Sequence, residues 1–239
     1  MKIFLAGAGG AIGKRLTPLL CAIGHSVVGT TRSADKANAI AKLGAQPVVV
    51  DVFDAAALKA AVVMAAPDVV IHQLTDLAFA PGTPQYEEGL ARNARIRIEG
   101  TANLVAAAKA AGVNRLIAQS VAWLYKPGPR PRVETDPLLP AEGAGAKTIE
   151  AVVSLEQAVL ALPEGIVLRF GFFYGSGTWS PDKPSRLPSI HIDAAAQATA
   201  LAIAKGKLGL YNVAEDDPSV SSEKARRELG FNVDFRIKP

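Results

Sequence analysis

Among its 239 residues the sequence has one cysteine, Cys21. An internal disulfide and any multi-cysteine metal site are therefore excluded. No block of like charge stands out, and Gln-, Ser- or Lys/Arg-rich tails are absent, so a nucleic-acid partner has little support. No apolar run approaches the roughly 20 residues of a membrane span. The apolar opening from Met1 to Leu20 is not read as a signal peptide, because Lys14 and Arg15 interrupt it and Gly7, Gly9, Gly10 and Gly13 lie within it. A soluble, cytoplasmic protein with no membrane partner is expected. Internal repeats, a Gly-x-Ser-x-Gly elbow and a His-Glu-x-x-His pair are also missing. The three histidines make no metal or triad site. His25 begins a strand, His72 ends one as a structural group, and His191 precedes a helix with Asp193 as its expected N-cap.

What is present is an ordinary globular composition: 49% hydrophobic, 20% charged, net charge +4. Such a chain can bury a sizeable core as one large domain or one domain with a small annex. Short β-branched runs at 2–6, 25–30, 47–50, 68–72, 115–119 and 165–170 read as strands. Helical patterns at 11–23, 34–43, 55–64, 85–111 and 147–162 alternate with them. Strands apolar throughout and separated by helices imply a parallel sheet covered on both faces. The expected fold class is α/β, a Rossmann-type doubly wound parallel sheet. In such sheets ligands bind beyond the carboxyl ends of the strands. The proline-rich stretches 127–140 and 181–188 read as loops, not linkers.

The first strand is followed by Gly7-Ala8-Gly9-Gly10-Ala11-Ile12-Gly13 and then a helix. Glycines let the backbone turn sharply and approach a pyrophosphate, and the helix N-terminus offers unpaired N–H groups. The context of strand, turn and helix is the one a dinucleotide site requires. After the second strand the chain reads Thr30-Thr31-Arg32-Ser33. No acid is there for the adenine ribose hydroxyls, and Arg32 can clamp a 2′-phosphate, with Ser33 and Lys36 assisting. NADP is therefore expected, with NAD as the alternative. Asp51 and Val52, after the third strand, read as the adenine side, or Asp51 as the N-cap of the next helix. Gln73 and Leu74, after the fourth, read as backbone contacts to the cofactor.

These residues resemble the atypical or extended short-chain dehydrogenase/reductase superfamily, in particular its NAD-dependent epimerase/dehydratase branch. The resemblance covers nearly the whole chain. Gly7, Gly10 and Gly13 match its glycine spacing, and Asp51-Val52 its adenine-side acid. Gly100-Thr101 with Asn103-Leu104 is similar to its G-T-x-N-L signature. Ser120 matches the serine after the fifth strand. Leu168-Arg169-Phe170-Gly171 with Tyr174-Gly175, His191-Ile192-Asp193 and Tyr211-Asn212-Val213 resemble its later segments.

The family's catalytic centre is a Tyr-x-x-x-Lys on the helix after the fifth strand, in which the lysine lowers the tyrosine pKa. Four residues beyond Tyr86, Tyr125, Tyr174 and Tyr211 stand Leu90, Pro129, Thr178 and Glu215, so this pair is missing. Anchoring the helix on Leu155-Glu156-Gln157 puts Thr148 at the tyrosine position and Val152 at the lysine position. The remaining candidates are Ser120, to orient a substrate oxygen, Tyr125, as an alternative donor or an aromatic wall, and Thr148, as a non-titrating hydrogen-bond donor. A nearby Lys126 or Lys147 is the group that would lower the Tyr125 pKa. Tyr174 reads as lining the same cleft.

The resemblance implies an NADP(H)-dependent oxidoreductase acting on a small-molecule substrate, a small carbonyl or related acceptor. The alternative is a catalytically silent NADP(H)-binding sensor or scaffold. Nucleotide-sugar epimerisation is disfavoured, because it needs the missing acid/base pair. Residues 1–175 are expected to form the dinucleotide-binding domain. Residues 176–239 are expected to form a small C-terminal substrate-side cap packed on it as one structural unit. A monomer or a homodimer is expected; in the long helix Arg92, Arg95 and Arg97 either oppose a bundle-type dimer interface or form its solvated face.

Overall fold

The computed structural model describes residues 1–77 and 82–237. Seven parallel strands form the central sheet: β1 (Lys2–Ala6), β2 (Ser26–Thr31), β3 (Gln46–Val49), β4 (Val69–His72), β5 (Arg115–Val121), β6 (Glu164–Phe170) and β9 (Gly209–Val213). Their order is β3-β2-β1-β4-β5-β6-β9. The order reverses at β1, which pairs with β2 on one side and β4 on the other. The crevice that a doubly wound sheet offers to ligands therefore opens beyond the carboxyl ends of β1 and β4. β7 (Phe172–Tyr174) and β8 (Ser189–His191) form a separate two-stranded sheet.

The strands are apolar on both faces because both faces are covered. Ile3 and Leu5 point into one core with Leu16 and Leu20 of α1 (Gly13–Ala22) and the alanines of α7 (Ile192–Lys205). Phe4 and Ala6 point into the other, with Leu58 and Val62 of α3 (Ala55–Ala65), Leu104 of α5 (Thr101–Ala110) and Val159 of α6 (Ala146–Leu160). The small side chains Ala194, Ala195, Ala196, Ala198 and Ala202 let α7 pack closely on the sheet. α2 (Ala37–Lys42) and α8 (Glu223–Leu229) are two shorter helices.

Three expectations change. The helix read as continuous over 85–111 is α4 (Pro84–Arg95), a π turn at Ile96–Gly100 and then α5. Such a turn holds an extra residue and re-aims side chains, a feature frequent at functional sites. It turns Arg97 inward, to 6% exposure, so Arg97 belongs to no solvated face. Arg92 and Arg95 are exposed there, paired with Asp76 and Glu99. β5 runs on to Val121, so Ser120 lies inside the strand and not after it. Finally, the division expected at residue 175 runs through the sheet: β9 is its edge strand beside β6, and α7 packs on α1.

Candidate functional site

The turn between β1 and α1 has the shape of an anion cradle. Gly7 has φ +99°, and a Cβ there would come within 2.7 Å of the Gln73 carbonyl oxygen. A Cβ on Gly13 would run into the carbonyl oxygens of Gly7 and Ala8. Those two glycines are required by the fold of the turn itself. Gly9 differs: a Cβ on it would meet nothing within 4 Å, so its openness faces outward. Among the described residues the N–H groups of Gly9, Ala11 and Ile12 meet no acceptor, whereas that of Gly10 bonds the Gly7 carbonyl at 3.0 Å. Free N–H groups at a helix N-terminus beside an open glycine fit a pyrophosphate. Arg15 braces the cradle from the far end of the chain. It donates to the Ala11 carbonyl (3.1 Å), the Asp193 carboxylate (2.6 Å) and the Ser176 carbonyl (2.5 Å). No spacing in the sequence marks that role.

After β2, Arg32 is exposed and unpaired among the described residues. Thr31 closes a local turn, its hydroxyl accepting from the Ser33 N–H at 3.1 Å. Asp51 accepts from the Phe53 N–H (3.0 Å), but the N-cap of α3 is Asp54, whose carboxylate accepts from Ala57 (2.9 Å). The helix-cap reading of Asp51 is thereby corrected: it sits three residues too early and makes a turn of its own. Val52 is buried, and its carbonyl accepts from Asn103 Nδ2 at 2.9 Å. In the Gly-Thr-x-Asn-Leu stretch, Asn103 pins the loop after β3, and Thr101 receives His72.

His72 is sealed at the end of β4. Its Nδ1 accepts from the Leu74 N–H (3.2 Å), which leaves Nε2 to donate to Thr101 Oγ1 (3.0 Å). Burial, with help from the Arg97 charge, lowers its pKa to about 4, so the ring is neutral. The Leu74 N–H is thus spent on His72. The Gln73 N–H bonds the Ala6 carbonyl (2.9 Å), and its side-chain Oε1 is buried without a partner.

At the ends of β5, β6 and β9 the register sets Ser120, Arg169 and Asn212 side by side. Ser120 Oγ donates to Glu156 Oε1 (2.7 Å), and Arg169 holds Glu156 through Nε (2.9 Å) and Nη2 (2.6 Å). Arg169 Nη1 donates to the Tyr125 hydroxyl (2.8 Å), which donates to Asn212 Oδ1 (2.6 Å). Burial opposes the charge on Arg169, but Glu156 outweighs it and raises the arginine pKa. Ser120 and Tyr125 are therefore brought into one buried network. Ser120 is 1% exposed and its proton is directed at Glu156.

Tyr125 is not activated. Burial raises its pKa, Arg169 opposes that only in part, and neither Lys126 nor Lys147 contributes. Thr148 stays outside the network, half-buried in the first turn of α6. One turn on, Val152 is fully buried against Val121, Leu124 and Ile149, so no cation stands at that position. Tyr174 donates to Glu215 Oε1, and its ring packs edge-on to His191 (5.1 Å). His191, not Asp193, caps α7: its Nδ1 accepts from the Asp193 N–H (3.2 Å), freeing the Asp193 carboxylate for Arg15. A half-buried aromatic pair that sequence reasoning missed, Trp123 stacked on Phe172 at 4.0 Å, stands beyond β5 and β6.

Comparison with known proteins shows the family and the fold. The model of a family described as NAD(P)H-binding matches residues 7–155. The chain is 35% identical to a 3-diazoavenalumate denitrifying reductase from a Streptomyces species, over 93% of this chain and 79% of that protein. It is 30% identical to a 4-hydroxy-2-methyl-3-oxo-4-farnesyl-3,4-dihydroquinoline-1-oxide ketoreductase from Stigmatella aurantiaca, over 81% of this chain and 55% of that one. Among solved structures, the fold is similar to a UDP-glucose 4-epimerase from Thermotoga maritima, with a TM-score of 0.77 at 16% identity, over 99% of this chain and 94% of that one. It is also similar to a dTDP-glucose 4,6-dehydratase from Streptomyces venezuelae with NAD bound, with a TM-score of 0.78 at 18% identity, over 99% and 93% of the two chains.

Proposed function

Because the chain belongs to the NAD(P)H-binding family, within the short-chain dehydrogenase/reductase superfamily, we propose that it is an NADP(H)-dependent reductase of a small carbonyl or related acceptor. The observation that carries this reading is the cradle: N–H groups at Gly9, Ala11 and Ile12 that meet no acceptor among the described residues, around an open glycine. When bound, the nicotinamide supplies the hydride. The chain's own residues bind and orient. The Gly7–Gly13 turn holds the pyrophosphate, Arg32 takes the 2′-phosphate, and Val52, pinned by Asn103, lines the adenine. The buried row of Ser120, Arg169 and Asn212, locked by Glu156 and Tyr125, keeps the strand ends rigid beneath the reacting groups. Thr148 and Val152 themselves cannot form a titrating pair, which favours an acceptor whose product is protonated by water. Two relatives named as reductases support the same reaction class.

The same lack of a titrating pair supports a second reading, a nucleotide-binding sensor. Titration of NADPH, followed by hydride exchange with a panel of aldehydes, ketones and quinones, separates the two. Turnover on any member supports the reductase; tight binding with none supports the sensor; no binding of either nucleotide ends both. Arg32→Ala tests the cofactor choice. The NADP preference over NAD is expected to fall about tenfold, equivalent to about 1.4 kcal/mol. An unchanged preference means that Arg32 does not read the phosphate.

A further inference from the structure

Arg97 lies in the π turn between α4 and α5 and is 6% exposed. The other buried arginines are accounted for. Arg169 pairs with Glu156 at 2.6 Å, and Arg132 donates to the Lys126 carbonyl with Asp136 3.7 Å away. Arg97 has no hydrogen bond and no ion pair among the described residues. The groups that feel its charge are His72, at the end of β4, and Glu156, on α6 beside Ser120 of β5. Neither can neutralise it. His72 is a neutral ring already bonded to Leu74 and Thr101. Both oxygens of Glu156 are engaged, by Ser120 and Arg169.

A guanidinium removed from water with no counter-charge is strongly unfavourable. Burial lowers the Arg97 pKa to about 10, which leaves it charged at neutral pH. Among the described residues, the sealed side-chain atoms without a partner include Gln73 Oε1, Gln197 Oε1, Asn212 Nδ2 and Asp217 Oδ2. Arg97 keeps 6% of its surface exposed. The π turn packs against α6, the helix where Thr148 and Val152 replace a tyrosine and a lysine. A cation missing from α6 thus has a counterpart on the neighbouring helix.

We propose that Arg97 is an anion-binding residue of the substrate cleft, receiving an anionic oxygen of the substrate, a carboxylate or a phenolate, beyond the ends of β4 and β5. This rests on the reductase reading for the identity of the cleft and narrows its substrate to an anion. Planar guanidinium groups bind such oxygens bidentately. The Trp123–Phe172 pair at the same end of the sheet makes aromatic anions the apt probes.

The test titrates benzoate, and separately 4-nitrophenolate in its ionised form, into the protein with and without NADP. Wild type, Arg97→Met and Arg97→Lys are compared by calorimetry. Saturable binding to wild type is expected, at least tenfold weaker in Arg97→Met and partly kept in Arg97→Lys. Whichever anion binds identifies the oxygen. Arg97→Met is also expected to raise the unfolding midpoint, by about 2–4 °C, because it removes an unpaired buried charge. Equal anion binding by wild type and Arg97→Met overturns the proposal. So does a lowered midpoint in Arg97→Met, the mark of a structural cation, and so does wild type that binds neither anion, loaded or not. Failure of NADP to bind wild type refutes the cofactor reading instead, and the unloaded titrations still decide for or against Arg97.

Discussion

Tyr125 shows how a residue's chemistry depends on what its polar atom touches. Read along the chain, it is either an alternative proton donor or an aromatic wall of the cleft. In the fold its hydroxyl bridges Arg169 and Asn212, and the ring is 9% exposed. Removing that oxygen strands one buried donor and one buried acceptor, which costs about 1–3 kcal/mol. Tyr125→Phe is therefore expected to lower stability by that amount in denaturant titration while leaving turnover within about twofold, on the scale where tenfold is about 1.4 kcal/mol. A large loss of turnover with stability unchanged would make Tyr125 a donor after all. Ser120 follows the same logic. The type of residue was legible in the sequence, but the direction of its proton, toward Glu156, was not.

At the scale of elements, the β1–α1 turn separates glycines that serve the fold from glycines that serve a ligand. Gly13→Ala drives a Cβ into the carbonyls of Gly7 and Ala8. Overpacking of that kind costs about 1–3 kcal/mol, and both stability and nucleotide affinity are expected to fall. Gly9→Ala meets nothing within 4 Å, so its stability is expected to stay within about 0.5 kcal/mol of wild type while NADPH affinity drops. Thermal unfolding and nucleotide titration of the two variants check this; equal behaviour would mean that the outward face of Gly9 meets no phosphate. The long helix teaches a complementary lesson. Its helical period is continuous in sequence, and only the docking of Gly100 against Val52, and of the turn against α6, shows where a π turn interrupts it.

For the whole molecule, the buried His72 couples folding to pH. Its folded-state pKa of about 4 lies below its ordinary value of 6.5. Between those values the unfolded chain binds a proton that the folded chain refuses, so stability falls as pH drops from 6.5 toward 4. The full effect is about 3 kcal/mol. Denaturant midpoints measured across that window should slope downward in wild type and be flatter in His72→Gln; parallel slopes would remove His72 as the cause. Local patterns determined much of this protein by themselves. Apolar runs of strand length, Ala-rich helical stretches and a glycine turn between the first of each depend on neighbours a few residues away, and they fix a doubly wound α/β sheet with a dinucleotide cradle. The tertiary structure alone decided which distant residues meet. Parallel crossovers set Ser120, Arg169 and Asn212 in one row although long stretches of chain separate them, because strand order and register arise from packing across the whole sheet. The same packing buried Arg97 without a partner among the described residues, gave the cap of α7 to His191, and tied Arg15 to Asp193. Local sequence carries no record of such contacts, since each exists only once two separate segments have been pressed together.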